Sequence, residues 1–131
     1  GNIHVERDWG YAEDYVKGLL LMMDQTEPDD YVFATGQLHS VKEFVNLAFK
    51  QVGITLVWSG KGLNEIALNS ETDQLVVRID EQFYRPGDIA GTCGQATKAK
   101  QILGWSPETT LDTIIITKMI QHKQNPRELE S

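Results

Sequence analysis

The residues with the clearest chemical potential are two arginines, each at a place where the chain is forced to turn. Arg85 opens the run Arg85-Pro86-Gly87-Asp88. Pro86 fixes its own φ and pushes Arg85 away from helical geometry, and Gly87 loosens the backbone beyond it, so a guanidinium is offered from extended backbone at a rigid corner. Arg7 opens Arg7-Asp8-Trp9-Gly10, which ends a short apolar alternation. Two guanidinium groups at strand ends suit a pyrophosphate, because each planar fork can make paired hydrogen bonds to phosphate oxygens. The same residues also fit plainer roles: a surface turn with Arg85 paired to Asp88, and an Arg7–Asp8 ion pair beside a core Trp9.

Other chemistries are poorly supported. Gly87, Gly91 and Gly94 invite comparison with a dinucleotide-binding loop, but Pro86 interrupts the entry and Asp88 would repel phosphate. No Gly-x-x-x-x-Gly-Lys-Ser/Thr occurs. His4, His39 and His122 are isolated from one another and from Cys93, which gives no metal-ligand spacing. Cys93 has no basic neighbour to activate its thiol. No Tyr is followed four residues later by Lys.

The elements that must position the arginines alternate in type. Residues 2–7 read as a short strand with Ile3 and Val5 on one face, and residues 11–23 as a helix with acids in its first turn and an apolar stripe, broadened by Leu20 and Leu21, that calls for burial. Residues 31–35 form a continuous β-prone run ended by Gly36. Ser40-Val41-Lys42-Glu43 is a capping box opening a helix whose C′ position is Gly53. Residues 54–58 and 74–80 read as strands, and 59–73 as a mobile loop with at most a brief strand at 66–68. A helix comes next at 97–103, then a last one capped by Thr109-x-x-Asp112 with Leu111, Ile114, Ile115, Met119 and Ile120 on its apolar side, and a tail at 125–131. Strand and helix in alternation predict an α/β fold with some parallel pairing.

The chain has 131 residues, 40% hydrophobic and 24% charged, which fits one globular domain spanning 1–131. Its apolar runs fall well short of the roughly 20 residues that span a bilayer, and no membrane partner is expected. A formal net charge of -7 argues against nucleic acid, which is held by many Lys and Arg, yet a small phosphorylated ligand needs only one or two cations. The single Cys93 and the lack of a basic-then-apolar start fit a cytoplasmic location. Gly1 in place of an initiator Met fits a removed tag or a piece cut from a longer protein.

Read together, Arg7-Asp8-Trp9-Gly10 with Asp14-Tyr15-Val16, Ala34-Thr35-Gly36 with Ser40-Val41, Tyr84-Arg85-Pro86, and Thr97-Lys98-Ala99-Lys100 with Gly104-Trp105 form a specific set in a specific order. The chain resembles the C-terminal half of GDP-mannose 4,6-dehydratases, members of the extended short-chain dehydrogenase/reductase group. The resemblance implies an α/β substrate-binding part that lacks the N-terminal Rossmann half. In the full enzyme that half holds NADP and supplies the Tyr-x-x-x-Lys pair. The enzyme oxidises C4 of the hexose, eliminates water across C5 and C6 and returns the hydride to C6, giving GDP-4-keto-6-deoxymannose on the route to GDP-fucose.

For this chain the resemblance implies that Arg7, Arg85 and Asp88 bind a GDP-sugar, GDP-mannose or a relative, and that the chain alone holds no cofactor and is catalytically inert. It also implies an apolar face, that of the 11–23 helix, left bare without the Rossmann sheet, and hence a homo-oligomer. Three departures from the family pattern bear on the loop: Asp88 stands where Glu is usual, Gly91-Thr92-Cys93 where leucine-rich residues stand, and Gln95-Ala96 where Asp-Pro stands. Without that Asp-Pro the helix at Thr97 loses a favoured cap and should start less firmly. Another nucleotide-sugar epimerase, dehydratase or reductase, or a non-catalytic binding module, is the alternative.

Overall fold

The alternation of strand and helix is realised as two three-stranded sheets with helices packed beside them. The computed structural model describes residues 1–112 and 116–124, the last three by backbone alone. The predicted apolar positions Ile114 and Ile115, the side chain of His122 and the tail at 125–131 lie outside the described residues.

The first sheet gathers distant segments. β1 (Glu6–Arg7) lies between β2 (His39–Ser40), antiparallel to it, and β6 (Gly91–Thr92), parallel to it. The strand expected over 2–7 is shorter than its alternation suggests, although Ile3 and Val5 are both buried as a pair. Their carbonyls accept from the Lys42 and Val41 amides, so they satisfy the first turn of the next helix instead of extending a ladder.

α1 (Ala12–Met23) forms over the predicted residues, with Glu13 and Asp14 in its first turn. Its stripe is not buried as the pattern called for. Asp14 and Gly18 are the buried residues of the helix, while Val16, Leu20 and Met23 are 53%, 58% and 75% exposed. The run at 31–35, expected as a strand, joins neither sheet.

α2 (Val41–Gln51) has the predicted caps. Ser40 accepts from the Glu43 amide at 3.0 Å. The Glu43 carboxylate does not complete the box; Ser40 is engaged with β1, and Glu43 lies 2.9 Å from Nδ1 of His39. At the other end Gly53 has φ +78°, and Gly53 and Ile54 donate to Lys50 and Phe49, a glycine-terminated helix end.

The second sheet realises the brief strand expected at 66–68 as the centre of a meander, where the sequence predicts a mobile loop around it. β3 (Leu56–Ser59), β4 (Ile66–Asn69) and β5 (Leu75–Arg78) form an antiparallel meander with β4 at its centre. Ala67 of β4 is fully buried between Trp58 and Val77. Cross-strand neighbours on both sides supply the order that a four-residue apolar run does not announce by itself. Glu65, just before β4, ties the meander to α2 and to the segment before β1: its carboxylate lies 2.5 Å from Lys42 Nζ and 2.6 Å from His4 Nε2.

The core has two centres. Ala99, Leu103 and Trp105 pack with Tyr15, Met22 and Phe33, and Leu111 and Ile116 pack with Trp9, Phe44 and Leu47. The predicted helix at 97–103 begins at Thr97 and widens into a π-helical turn, Ala99–Leu103, ended by Gly104 at φ +66°. α3 (Ile116–Gln124) then packs against α2.

Candidate functional site

Arg7 stands on β1 and reaches across to the loop that precedes β6. Its Nη1 donates to the carbonyls of Glu6 and Ile89 at 2.7 and 2.9 Å, and its Nη2 to Oδ1 of Asp88 at 3.2 Å. The Glu6 amide donates to the Ala90 carbonyl at 2.7 Å, extending the same seam. Arg7 therefore pairs with Asp88, not with its neighbour Asp8.

Asp8 points away from Arg7 and fastens a different loop. Its Oδ1 accepts from the amide and hydroxyl of Thr35 at 2.9 and 2.5 Å, and its Oδ2 from the Gly36 amide at 2.9 Å. Burial works to raise the Asp8 pKa. The hydrogen bonds from Thr35, Gly36 and Gly94 outweigh it and hold the carboxyl below its ordinary value. Gly36 itself is in left-handed backbone at φ +74°. In the cleft that Asp8 and Tyr15 share, burial and then the charges of Asp8 and Asp14 raise the Tyr15 pKa, so the phenol keeps its proton.

Arg85 is exposed and is not paired to Asp88 through its side chain. Instead the Asp88 amide donates to the Arg85 carbonyl at 3.1 Å, closing a turn through Pro86 and Gly87. The guanidinium itself has no partner among the described residues. Of the three residues singled out from the sequence, the structure thus joins Arg7 to Asp88 and leaves Arg85 projecting from the turn that this pair borders.

Two clefts open on either side of Ala34. One, of about 400 Å³, is lined by Arg7, Asp8, Tyr15, Phe33 and residues 92–94. The other, of about 710 Å³, is lined by Thr35, Gly36, Thr97, Lys100, Gln101 and Pro107. Arg85 lines neither. The glycines at 91 and 94 are used within the fold. Gly91 lies in β6, and a Cβ at Gly94 would sit 2.4 Å from that of Ala34, so this glycine permits close packing instead.

Cys93 is exposed, with Sγ 4.0 Å from Asp8 Oδ2. His4 and His39 are each engaged with a glutamate, Glu65 and Glu43. Sequence reasoning missed Thr35 and Gly36 as partners of Asp8, although Ala34-Thr35-Gly36 is one of the segments that carry the resemblance. What this arrangement offers is anion recognition, with one guanidinium uncommitted and a second partly engaged.

Comparison with known proteins agrees with these segments. A family profile described as GDP-mannose 4,6 dehydratase matches residues 1–119. The human GDP-mannose 4,6 dehydratase is 44% identical over 115 residues, which is 88% of this chain and 31% of that protein. The enzyme of Sinorhizobium fredii is 43% identical over 111 residues, 85% of this chain and 32% of its own. This chain thus spans about a third of the length of the curated relatives it matches. Among solved structures, UDP-glucose 4-epimerase with UDP-glucose from Thermotoga maritima superposes with a TM-score of 0.67 at 21% identity, over 96% of this chain and 34% of that one. UDP-glucose 4-epimerase from Bifidobacterium longum, in complex with NAD+ and UDP, gives 0.63 at 26% identity, over 93% and 31%.

Proposed function

Because the chain belongs to the GDP-mannose 4,6-dehydratase family, we propose that it is the nucleotide-sugar-binding portion of such an enzyme, taking GDP-mannose or a close relative as ligand. The single observation that carries this reading is Arg85, an exposed guanidinium with no partner among the described residues, held on a proline-fixed turn beside the Arg7–Asp88 pair. A diphosphate supplies the charge and the paired oxygens that such a group lacks. Arg7 and Asp88 border the same site.

The parent reaction is the conversion of GDP-mannose to GDP-4-keto-6-deoxymannose with NADP. That cofactor belongs to the rest of the enzyme in this reading, and Gly91 and Gly94 of this chain serve β6 and the contact with Ala34. The chain alone is then a binder without turnover. Its location in the cytoplasm accords with a single unpaired thiol. The exposed apolar residues of α1 favour a homo-oligomer.

Titration calorimetry of the full 131-residue chain with GDP-mannose, GDP and UDP-glucose tests the reading. Binding of the guanine nucleotides in preference to UDP-glucose is expected. Preference for UDP-glucose would move the chain to an epimerase-like ligand, and no binding of any of the three would overturn the reading.

A further inference from the structure

The β3–β4–β5 meander stands outside the two apolar centres of the fold. Among the described residues, neither the cluster around Trp105 nor that around Ile116 includes any residue of 54–83. Ala67, fully buried at the middle of β4, has Trp58 and Val77 as cross-strand neighbours, so the meander keeps a small interior of its own. A single run of chain joins it at each end. Before β3 that run is Gly53, in left-handed backbone at φ +78° where α2 stops, and after β5 it is Ile79 and Asp80, which lead into the 3-10 turn Glu81–Phe83.

The joint between meander and α2 is polar. The Glu65 side chain is 6% exposed, and its two oxygens are divided between Lys42 Nζ, at 2.5 Å, and His4 Nε2, at 2.6 Å. Lys42 also lies 4.6 Å over the ring of Trp58, whose indole N–H donates to Asn46 Oδ1 at 2.8 Å. Lys42 and Asn46 stand one helical turn apart and share a face of α2. Water can take over each of these groups when the joint opens, whereas an apolar joint would forfeit its burial outright.

We infer that the meander is a hinged flap, with Glu65 as its catch on Lys42 and His4, that swings off α2 as one unit while the rest of the chain stays folded. Hinges are a few residues at the ends of elements that absorb the change in φ and ψ, and Gly53, without a Cβ and already at positive φ, is placed to serve as one. The antiparallel ladders of β4 with both neighbours keep the three strands together as the flap moves. Opening bares the face of α2 that carries Lys42 and Asn46, together with the ring of Trp58. The flap is independent of the nucleotide-sugar reading above.

Native-state hydrogen exchange on the full chain, without ligand, reads the flap amide by amide. In wild type the laddered amides of β3, β4 and β5 should share one opening free energy, below that of the amides inside α2. Glu65→Gln keeps the shape of the side chain and removes its charge. It should speed exchange of all three strands by a common factor of about ten- to a hundredfold, as expected for losing hydrogen bonds to a charged group, and leave α2 as it is. Asn46→Ala, which removes the Trp58 partner, should give the same pattern with a smaller factor. Faster exchange confined to β4 would make Glu65 a local prop and overturn the flap. Acceleration shared equally by α2, or a Glu65→Gln chain that circular dichroism shows to be unfolded throughout, would make the meander part of one cooperative unit and overturn it as well. Unchanged exchange in both variants overturns the catch.

Discussion

Trp105 donates its indole N–H to the backbone carbonyl of Asp14 at 2.7 Å, across 91 residues of chain. The same aspartate turns its side chain to the amides of Glu108 and Thr109, at 3.0 and 2.9 Å. One residue in the first turn of α1 therefore fixes both ends of the 105–109 segment. A helix whose apolar stripe is largely exposed is held in place at its buried polar end.

Asp14→Ala should cost about 1–3 kcal/mol of stability, because two backbone donors lose their acceptor while the Trp105 bond, made to backbone, survives. Asp14→Asn keeps one acceptor oxygen and should cost less. Urea unfolding of the three proteins checks the order. Equal midpoints for wild type and Asp14→Ala would show that water replaces the carboxylate without loss.

Gly18 sets two effects against each other. Alanine gains about 1 kcal/mol of helix propensity over glycine, but a Cβ there would meet the Phe33 ring at 2.5 Å and Trp105 Nε1 at 3.0 Å. The Phe33 ring is itself held edge-on against Trp105 at 4.9 Å, so it has little room to yield. Overpacking typically costs about 1–3 kcal/mol, and Gly18→Ala is expected to be net destabilising. A raised unfolding midpoint would mean that the ring moves freely.

Glu65 predicts an acid sensitivity. The bond from Lys42, then that from His4, holds its carboxyl below the ordinary value of 4.5. A depressed folded-state pKa contributes stability that is fully present above the unfolded value and is lost as pH falls through the folded one. Wild type should therefore lose more stability than Glu65→Gln as pH falls from neutral past 4.5. Parallel acid profiles for the two would remove this cluster from the account.

Arg85→Ala should weaken GDP binding by roughly 1.5–3 kcal/mol, the range for a hydrogen bond to a charged group. The difference should shrink in added salt, since the site is open to solvent. Unchanged affinity in calorimetry would take Arg85 out of the site.

What is legible in the sequence is local. Ser40 and Gly53 mark the ends of α2 because caps are decided within a turn of chain, and the acids of α1 mark its start in the same way. The α/β class comes from the order of elements. β4 shows in the sequence only as a brief strand at 66–68, because four residues between glycine-rich and polar turns carry little periodicity, and its flanking strands complete it. Arg7 and Asp8 are adjacent and look like partners in the sequence. The chain places them back to back, one on residues 88 and 89 and the other on 35 and 36, and such pairings leave no local trace.

The parallel seam between β1 and β6 carries a consequence for how the protein comes into being. Arg7 and Ile89 are 82 residues apart in sequence, so β1 finds one partner, β2, close by and the other across a long loop. Closing so long a loop is entropically slow. The corner that carries Arg85 is accordingly joined to β1 by a long-range closure, whereas the β3–β4–β5 meander closes between neighbouring strands.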